Sequence, residues 1–289
     1  MNNFHTPVLL QEVLSGLKIE PGQKYIDATI GGGGHGFEIL KKGGILLGID
    51  VDTEALEFVK RRWKVECGNW NTVEENLKLA RGNFRDIDTI AHLNKFEKVK
   101  GIIFDLGVSS HQIDEAGRGF SFQKEGPLDM RMSQDLQIKA LDLVNALNKG
   151  ELYEIFTKLG EESGARAISE HIIRARSIEP IRTTSDLAKL IFPTARPKIF
   201  QALRIAVNDE LNAIREALPK ALELLESGGR MLVISFHSLE DRIVKQQFMK
   251  FENENKGIIV TKKPIIPNSE ELQRNRRSMS SKLRIFEKK

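Results

Sequence analysis

The chain has 289 residues, enough to bury a full core and to form one large or two small domains. Charged residues are 29% and hydrophobic ones 40%, and no apolar run approaches the roughly 18 residues that cross a bilayer, so a helical membrane protein is excluded. Net charge is only +4, yet residues 256–289 hold ten Lys and Arg against three Glu, a local +7 that points to a polyanionic partner. Cys67 is the only cysteine, which excludes an internal disulfide and a cysteine-rich zinc site and fits a reducing cytoplasm. No signal peptide is visible in MNNFHTPVLL, no metal is expected, and the expected location is cytoplasmic.

Taken in order, residues 7–17 read as a helix, with Thr6 as N-cap and Pro7 in the first helical position. Residues 24–29 are a first strand, 36–42 begin a helix, and 45–49 are a continuous apolar run suited to a buried parallel strand. A charged helix is predicted over 53–64, a strand over 78–84, a helix over 86–93 and a fourth strand over 99–106. Strands alternating with helices at this spacing indicate a doubly wound α/β sheet whose ligand sits at the carboxyl ends of the strands, where Asp27, Asp50, Phe84 and Asp105 fall. The rhythm then breaks. Residues 117–131 are loop-like, and helical stretches follow over 134–147, 151–158, 165–176 and 185–190. Residues 200–225 are amphipathic, with a break expected at Pro219; Gly228 and Gly229 close that helix. A buried strand is predicted over 230–236, a helix over 239–250, and an antiparallel pair over 258–261 and 282–286.

The densest stretch is YIDATIGGGGHG at 25–36. Gly31, Gly33 and Gly36 fit G-x-G-x-x-G, which by itself says little. Asp27 says more, because it puts a carboxylate at the strand end just before the turn. A pyrophosphate would be repelled there. S-adenosylmethionine has a sulfonium and an α-ammonium and no phosphate, so an acidic turn suits it. Asp50, at the end of ILLGID, lies at the spacing of an acidic residue that grips ribose hydroxyls.

DLGVSS at 105–110, RGFSF at 118–122, GPLDMRM at 126–132, FQALRIAVNDEL at 200–211 and SFHSLEDR at 235–242, together with the glycine turn, resemble the bacterial ribosomal small-subunit RNA methyltransferase H family, from His5 to Arg284. The resemblance implies a Rossmann-like class I methyltransferase sheet interrupted by an inserted α-helical domain. In that division residues 1–107 and 199–289 form the cofactor-binding domain, and residues 108–198 the substrate-recognition domain. It implies S-adenosylmethionine-dependent methylation of the exocyclic N4 of one cytidine in 16S rRNA, near the decoding centre of the small ribosomal subunit. It assigns cofactor contacts to Gly33, Gly34, His35, Asp50, Phe84, Asp105 and Gln112. Two departures stand out: the segment before Phe200 is shortened, and His111 sits where proline is expected.

Methyl transfer from a sulfonium is an in-line displacement that mainly needs a positioned nucleophile and a dry site. Asp105 is the expected catalytic group, accepting from the N4 hydrogens. Cys67 lies far from the motif-bearing strand ends, which argues against covalent catalysis. No aromatic follows Asp105, so the splayed base needs another stacking partner, and Phe120 or Phe122 is expected to serve. Arg118, Arg131, Arg276 and Arg277 are the expected phosphate contacts, and His237 either meets the RNA or helps cap the next helix through Ser238. Competing readings are a nicotinamide-dependent oxidoreductase, an assembly factor that has lost catalysis, and a DNA N4-cytosine methyltransferase. The acidic turn opposes the first, the intact cofactor residues oppose the second, and the missing aromatic opposes the third.

Overall fold

In the computed structural model, residues 7–67 and 76–289 are described; Thr6 lies outside them, as does the side chain of His111. The chain divides into two compact units, Met1–Gly107 with Leu211–Lys289, and Val108–Glu210.

The first unit holds a seven-stranded sheet: β1 Lys24–Asp27, β2 Ile45–Asp50, β3 Leu77–Arg81, β4 Val99–Asp105, β5 Leu225–Ser235, β6 Gly257–Ile259 and β7 Lys282–Lys288. The spatial order is β3-β2-β1-β4-β5-β7-β6. The pairs among β1 to β5 are parallel, and β7 is antiparallel to both β5 and β6. The central residues of these strands are apolar and buried, as at Tyr25 and Ile26, Leu46 and Leu47, Ile102 to Phe104 and Met231 to Ile234, because helices cover both faces. Tyr25, Leu46, Ile103, Leu232 and Leu283 pack with Val13, Phe37, Val59 and Trp63 in one buried cluster. Parallel pairing also collects the carboxyl ends of β1, β2, β4 and β5 on one edge, and the order reverses between β1 and β4, where such sheets bind ligands.

Several boundaries differ from expectation for physical reasons. The first helix is Leu10–Leu17, because Leu9 takes a left-handed conformation with φ 51°. β3 ends at Arg81, and Phe84 opens a 3-10 turn, Phe84–Asp86, capped by Asn83. The long amphipathic stretch breaks at Asp209 (φ 50°) and not at Pro219, which sits inside helix Glu210–Leu224. Burial of Ile214, Ala217, Leu218, Ala221 and Leu222 holds that helix together across the missing donor. Gly228 and Gly229 fall within β5. Val99 pairs with Leu225 and Gly101 with Arg230, so the residues between form a bulge, with Gly228 at φ 74°.

The second unit is helical: Ser110–Asp114, Ala140–Ala146, Lys149–Lys158, Ala165–Arg176, Thr184–Leu190 and Arg196–Asn208. Its core gathers Leu128, Val144, Phe156, Ile168, Ile172, Leu187 and Leu203. The sequence reading returned to the first domain at residue 199. The structure keeps Arg196–Asn208 in the helical unit, because its buried face, Ile199, Phe200, Ala202 and Leu203, is part of that core. Among the described residues no helix is long and apolar enough to cross a membrane.

One loop of this unit is fastened from its end. Asn208 Nδ2 donates to the carbonyls of Met130 and Arg204, both at 2.8 Å, and its Oδ1 accepts from the Met132 N–H at 2.7 Å. Met130 is fully buried and held at φ 62°. Asn208→Ala removes these bonds and strands the Met132 donor, a loss of about 2 kcal/mol. The expected outcome is a lower urea midpoint together with faster hydrogen exchange at the Met132 amide; unchanged exchange there would show that the loop holds itself.

Candidate active site

The turn after β1 is pinned on both sides. The Ala28 N–H donates to Ile103 O on β4 (2.9 Å), and the Asp105 N–H donates to Thr29 Oγ1 (2.7 Å). The Ile30 N–H then donates to Ile49 O on β2, and the Gly31 N–H to Asp50 Oδ2, both at 2.9 Å. The chain thus crosses from one neighbouring strand tip to the other, and the remaining glycines follow directly. Gly33 takes φ 76° and leads into helix Gly34–Lys41. A Cβ on Gly36 would lie 2.6 Å from Ile30 Cδ1 and 2.7 Å from Leu46 Cδ2, so the third glycine of the pattern lets the helix lie on the sheet. Gly34 is half-buried, and a Cβ on it would lie 2.9 Å from Pro7 Cβ.

Three carboxylates converge here. Asp27 is 2% exposed and accepts from the Thr29 N–H at 3.2 Å. Burial, reinforced by the charges of Asp105 and Asp50, pushes its carboxyl up to about 8. Asp50 accepts from Gly31 and, through Oδ1, from the Asp52 N–H at 2.9 Å, and burial raises it to about 6 despite those bonds. Asp50 therefore braces the turn as well as presenting an acidic group. Asp105 ends β4, with Oδ2 3.7 Å from His35 Nδ1.

His35 is buried, and its Nε2 meets the Val8 carbonyl at 2.9 Å. The resemblance implies a cofactor contact at His35; the structure gives its imidazole a defined place against protein. Phe84 is half-buried in its turn and meets Phe104 edge-on at 5.8 Å. Cys67 is the last residue of helix Thr53–Cys67.

His237 is itself the N-cap of helix Ser238–Asn253, the role expected of Ser238. Its Nδ1 accepts from the Glu240 N–H at 3.4 Å, and the buried Glu240 carboxylate accepts from the backbone of Phe236 and His237. Its Nε2 lies 3.2 Å from Glu240 Oε1, so this imidazole is engaged in the fold. Arg276 and Arg277 are exposed on the 3-10 turn Arg276–Ser280, where phosphates can reach them.

Within the helical unit, Gln112 is buried and forms a reciprocal cap: its Oε1 accepts from the Ser109 N–H, and its own N–H donates to Ser109 Oγ. Arg118 donates through Nη2 to the carbonyls of Arg131 and Met132, and its guanidinium lies 6.0 Å from the Phe120 ring centre. Phe120 and Phe122 pack against the helical core, Phe122 edge-on to Phe200. Arg131 requires a correction. All five of its N–H groups are used inside the loop, on Asp129, on the carbonyls of Gln134 and Leu136, and on Gln134 Oε1. It is a loop fastener and has no donor left for a phosphate.

Sequence reasoning missed two groups. Thr29 ties the turn to β4, and only the fold brings residues 29 and 105 together. The Ser-x-x-Gln spacing of 109 and 112 is a capping-box pattern that could have been read.

The residues fit a cationic ligand. Burial raises the carboxyls of Asp27 and Asp50, and the charges of Asp105 and Asp50 raise Asp27 further, so positive charge beside this glycine turn is favoured. A doubly wound sheet with a reversed seventh strand and acidic tips around a glycine turn defines a class I methyltransferase. The family model described as the MraW methylase family matches residues 2–289, and the chain belongs to that family; its cofactor is S-adenosylmethionine. The chain is 44% identical to ribosomal RNA small subunit methyltransferase H of Fusobacterium nucleatum subsp. nucleatum, covering 99% of this chain and 98% of that one. It is 41% identical to the protein of the same name from Coprothermobacter proteolyticus, covering 100% and 98%. A crystal structure of a methyltransferase from Streptococcus mutans in complex with SAH is similar at TM-score 0.44 and 14% identity, covering 96% and 97%.

The raised carboxyls set a sign for pH dependence. The folded state keeps a proton on Asp27 up to about pH 8, whereas the unfolded chain releases it near 3.8. Between those values the folded state binds more protons, so stability falls as pH rises. The melting temperature should fall from pH 5 to 8.5, and Asp27→Asn should flatten that fall; equal slopes would show that Asp27 is ionised throughout.

Proposed function

We propose that this protein transfers a methyl group from S-adenosylmethionine to the exocyclic N4 of one cytidine of 16S rRNA, near the decoding centre of the small ribosomal subunit. The observation that carries the reading is the trio of carboxylates, Asp27, Asp50 and Asp105, around the bare glycine turn. Relatives named ribosomal RNA small subunit methyltransferase H, at 44% and 41% identity over nearly the whole chain, support the substrate class. The basic stretch 256–289, with Arg276 and Arg277 exposed, supports an RNA partner.

When bound, S-adenosylmethionine supplies a methyl already activated by its sulfonium. Asp50 keeps lone pairs for the ribose hydroxyls beyond those spent on Gly31 and Asp52, and Gly33 and Gly34 offer backbone alone. Phe84 offers an apolar face for adenine. Asp105, only 13% exposed at its side chain, accepts from the N4 hydrogens and stabilises the charge that grows on nitrogen in the transition state. Proton loss then needs no more than water. The helical unit serves substrate recognition, with Arg118 and Phe120 on its loop, and the enzyme works in the cytoplasm.

Two experiments test this. Small subunits lacking the modification, incubated with labelled S-adenosylmethionine and digested to nucleosides, should yield N4-methylcytidine. A different methylated nucleoside, or none, would overturn the assignment. Asp105→Ala should lower kcat on the order of 10²-fold or more, the usual scale for losing a group that stabilises transition-state charge. Turnover near wild type would remove Asp105 from the chemistry.

A further inference from the structure

We propose that His35 is a positioning residue for Asp105, its imidazole clamped between the Val8 carbonyl and the Asp105 carboxylate; the inference rests on the reading of Asp105 given above. His35 is the second residue of helix Gly34–Lys41, and the turn at Gly33 directs it inward. Its side chain is 4% exposed. The Val8 carbonyl, itself buried, can only accept, so the 2.9 Å contact assigns a hydrogen to Nε2. The opposite edge of the ring faces Asp105, with Nδ1 3.7 Å from Oδ2; in the imidazolium form Nδ1 carries a hydrogen as well, and the ring is then an ion-pair partner for that carboxylate. Val8 is anchored in turn: Leu9 is fully buried, and its N–H donates to Glu271 Oε1 at 3.0 Å. The imidazole therefore has a fixed base, from which its protonated form orients the Asp105 carboxylate by charge.

The Asp105 backbone is held by the Thr29 hydroxyl. That bond acts on the main chain, and the His35 contact acts on the carboxylate itself. A group that must meet an amine hydrogen in a narrow range of geometry loses rate steeply when it drifts by about 1 Å. The commonest expectation for a histidine in a glycine turn is direct contact with the ligand. Here both ring edges are directed at protein, one at Val8 and one at Asp105.

Two substitutions separate the two edges. His35→Gln keeps an amide donor that reaches the Val8 carbonyl and leaves nothing at the Nδ1 position. His35→Asn places an amide at the Nδ1 position and falls short of Val8. Each is compared, in the full chain, with Asp105→Asn and with the double variant His35→Gln/Asp105→Asn. The measurements are melting temperature, S-adenosylmethionine affinity by calorimetry, and kcat and KM on unmodified small subunits. The expected result is that His35→Gln keeps its melting temperature and its cofactor affinity within about threefold but loses kcat at least tenfold. His35→Asn keeps more of kcat than His35→Gln, whatever its stability. The double variant is no slower than Asp105→Asn alone, because removing Asp105 removes the group through which His35 acts. Wild-type kcat in His35→Gln with an impaired Asp105→Asn would overturn the inference and leave the role of Asp105 standing, as would losses that simply multiply in the double variant. If Asp105→Asn turns over at the wild-type rate, the reading of Asp105 fails, and this inference falls with it. Should His35→Gln not fold, a kcat in His35→Asn as low as in Asp105→Asn overturns the proposal, and a kcat well above it supports the proposal.

Discussion

The site depends on a turn that is hydrogen-bonded to two strand tips at once. Ala28 and Thr29 join β4, Ile30 and Gly31 join β2, and the other glycines follow at once. A loop of glycines would ordinarily sample many conformations, at an entropic cost on folding. Here four bonds in four residues remove that freedom. One of the four acceptors is the Asp50 carboxylate, so the same side chain that serves a ligand also shapes the loop that receives it.

Placing carboxylates at three adjacent strand tips works against stability. Asp27 is buried next to two other acids and holds a proton it would release in water. The fold tolerates this because Asp27 retains a backbone donor in Thr29, and because a neutral carboxyl is a modest burden to bury. Such a cluster becomes favourable when a cation sits beside it. An unliganded site under electrostatic tension and a positively charged cofactor are thus complementary descriptions of one arrangement.

Two arginines show how one residue type can take opposite roles. Arg131 and Arg276 look alike in the sequence. Arg131 spends every donor on its own loop, whereas Arg276 stands on an exposed turn. Asn208 closes the same loop from the end of helix Arg196–Asn208, which explains why two separated stretches, 126–132 and 200–211, carry distinctive residues together. Their shared feature is mutual fastening within the helical unit.

Much was legible from residue order alone. Alternating apolar runs and charged periodic stretches reveal the doubly wound sheet, because a strand covered on both faces is apolar through its middle, as at 45–49 and 101–104. The acidic strand ends and the glycine run mark the cofactor end, because such chemistry needs particular residue types at short spacing. What required the tertiary structure were relations between residues far apart in the chain. The break at Asp209 instead of Pro219 follows from which face each helix buries. The engagement of Arg131, the cap formed by His237, and the link from Val8 through His35 to Asp105 depend on where donors and acceptors arrive after folding. Local pattern encodes which element forms, since propensity and periodicity act over a few residues. Which polar group satisfies which is decided by packing, since a hydrogen bond is made with whatever the fold brings within about 3 Å.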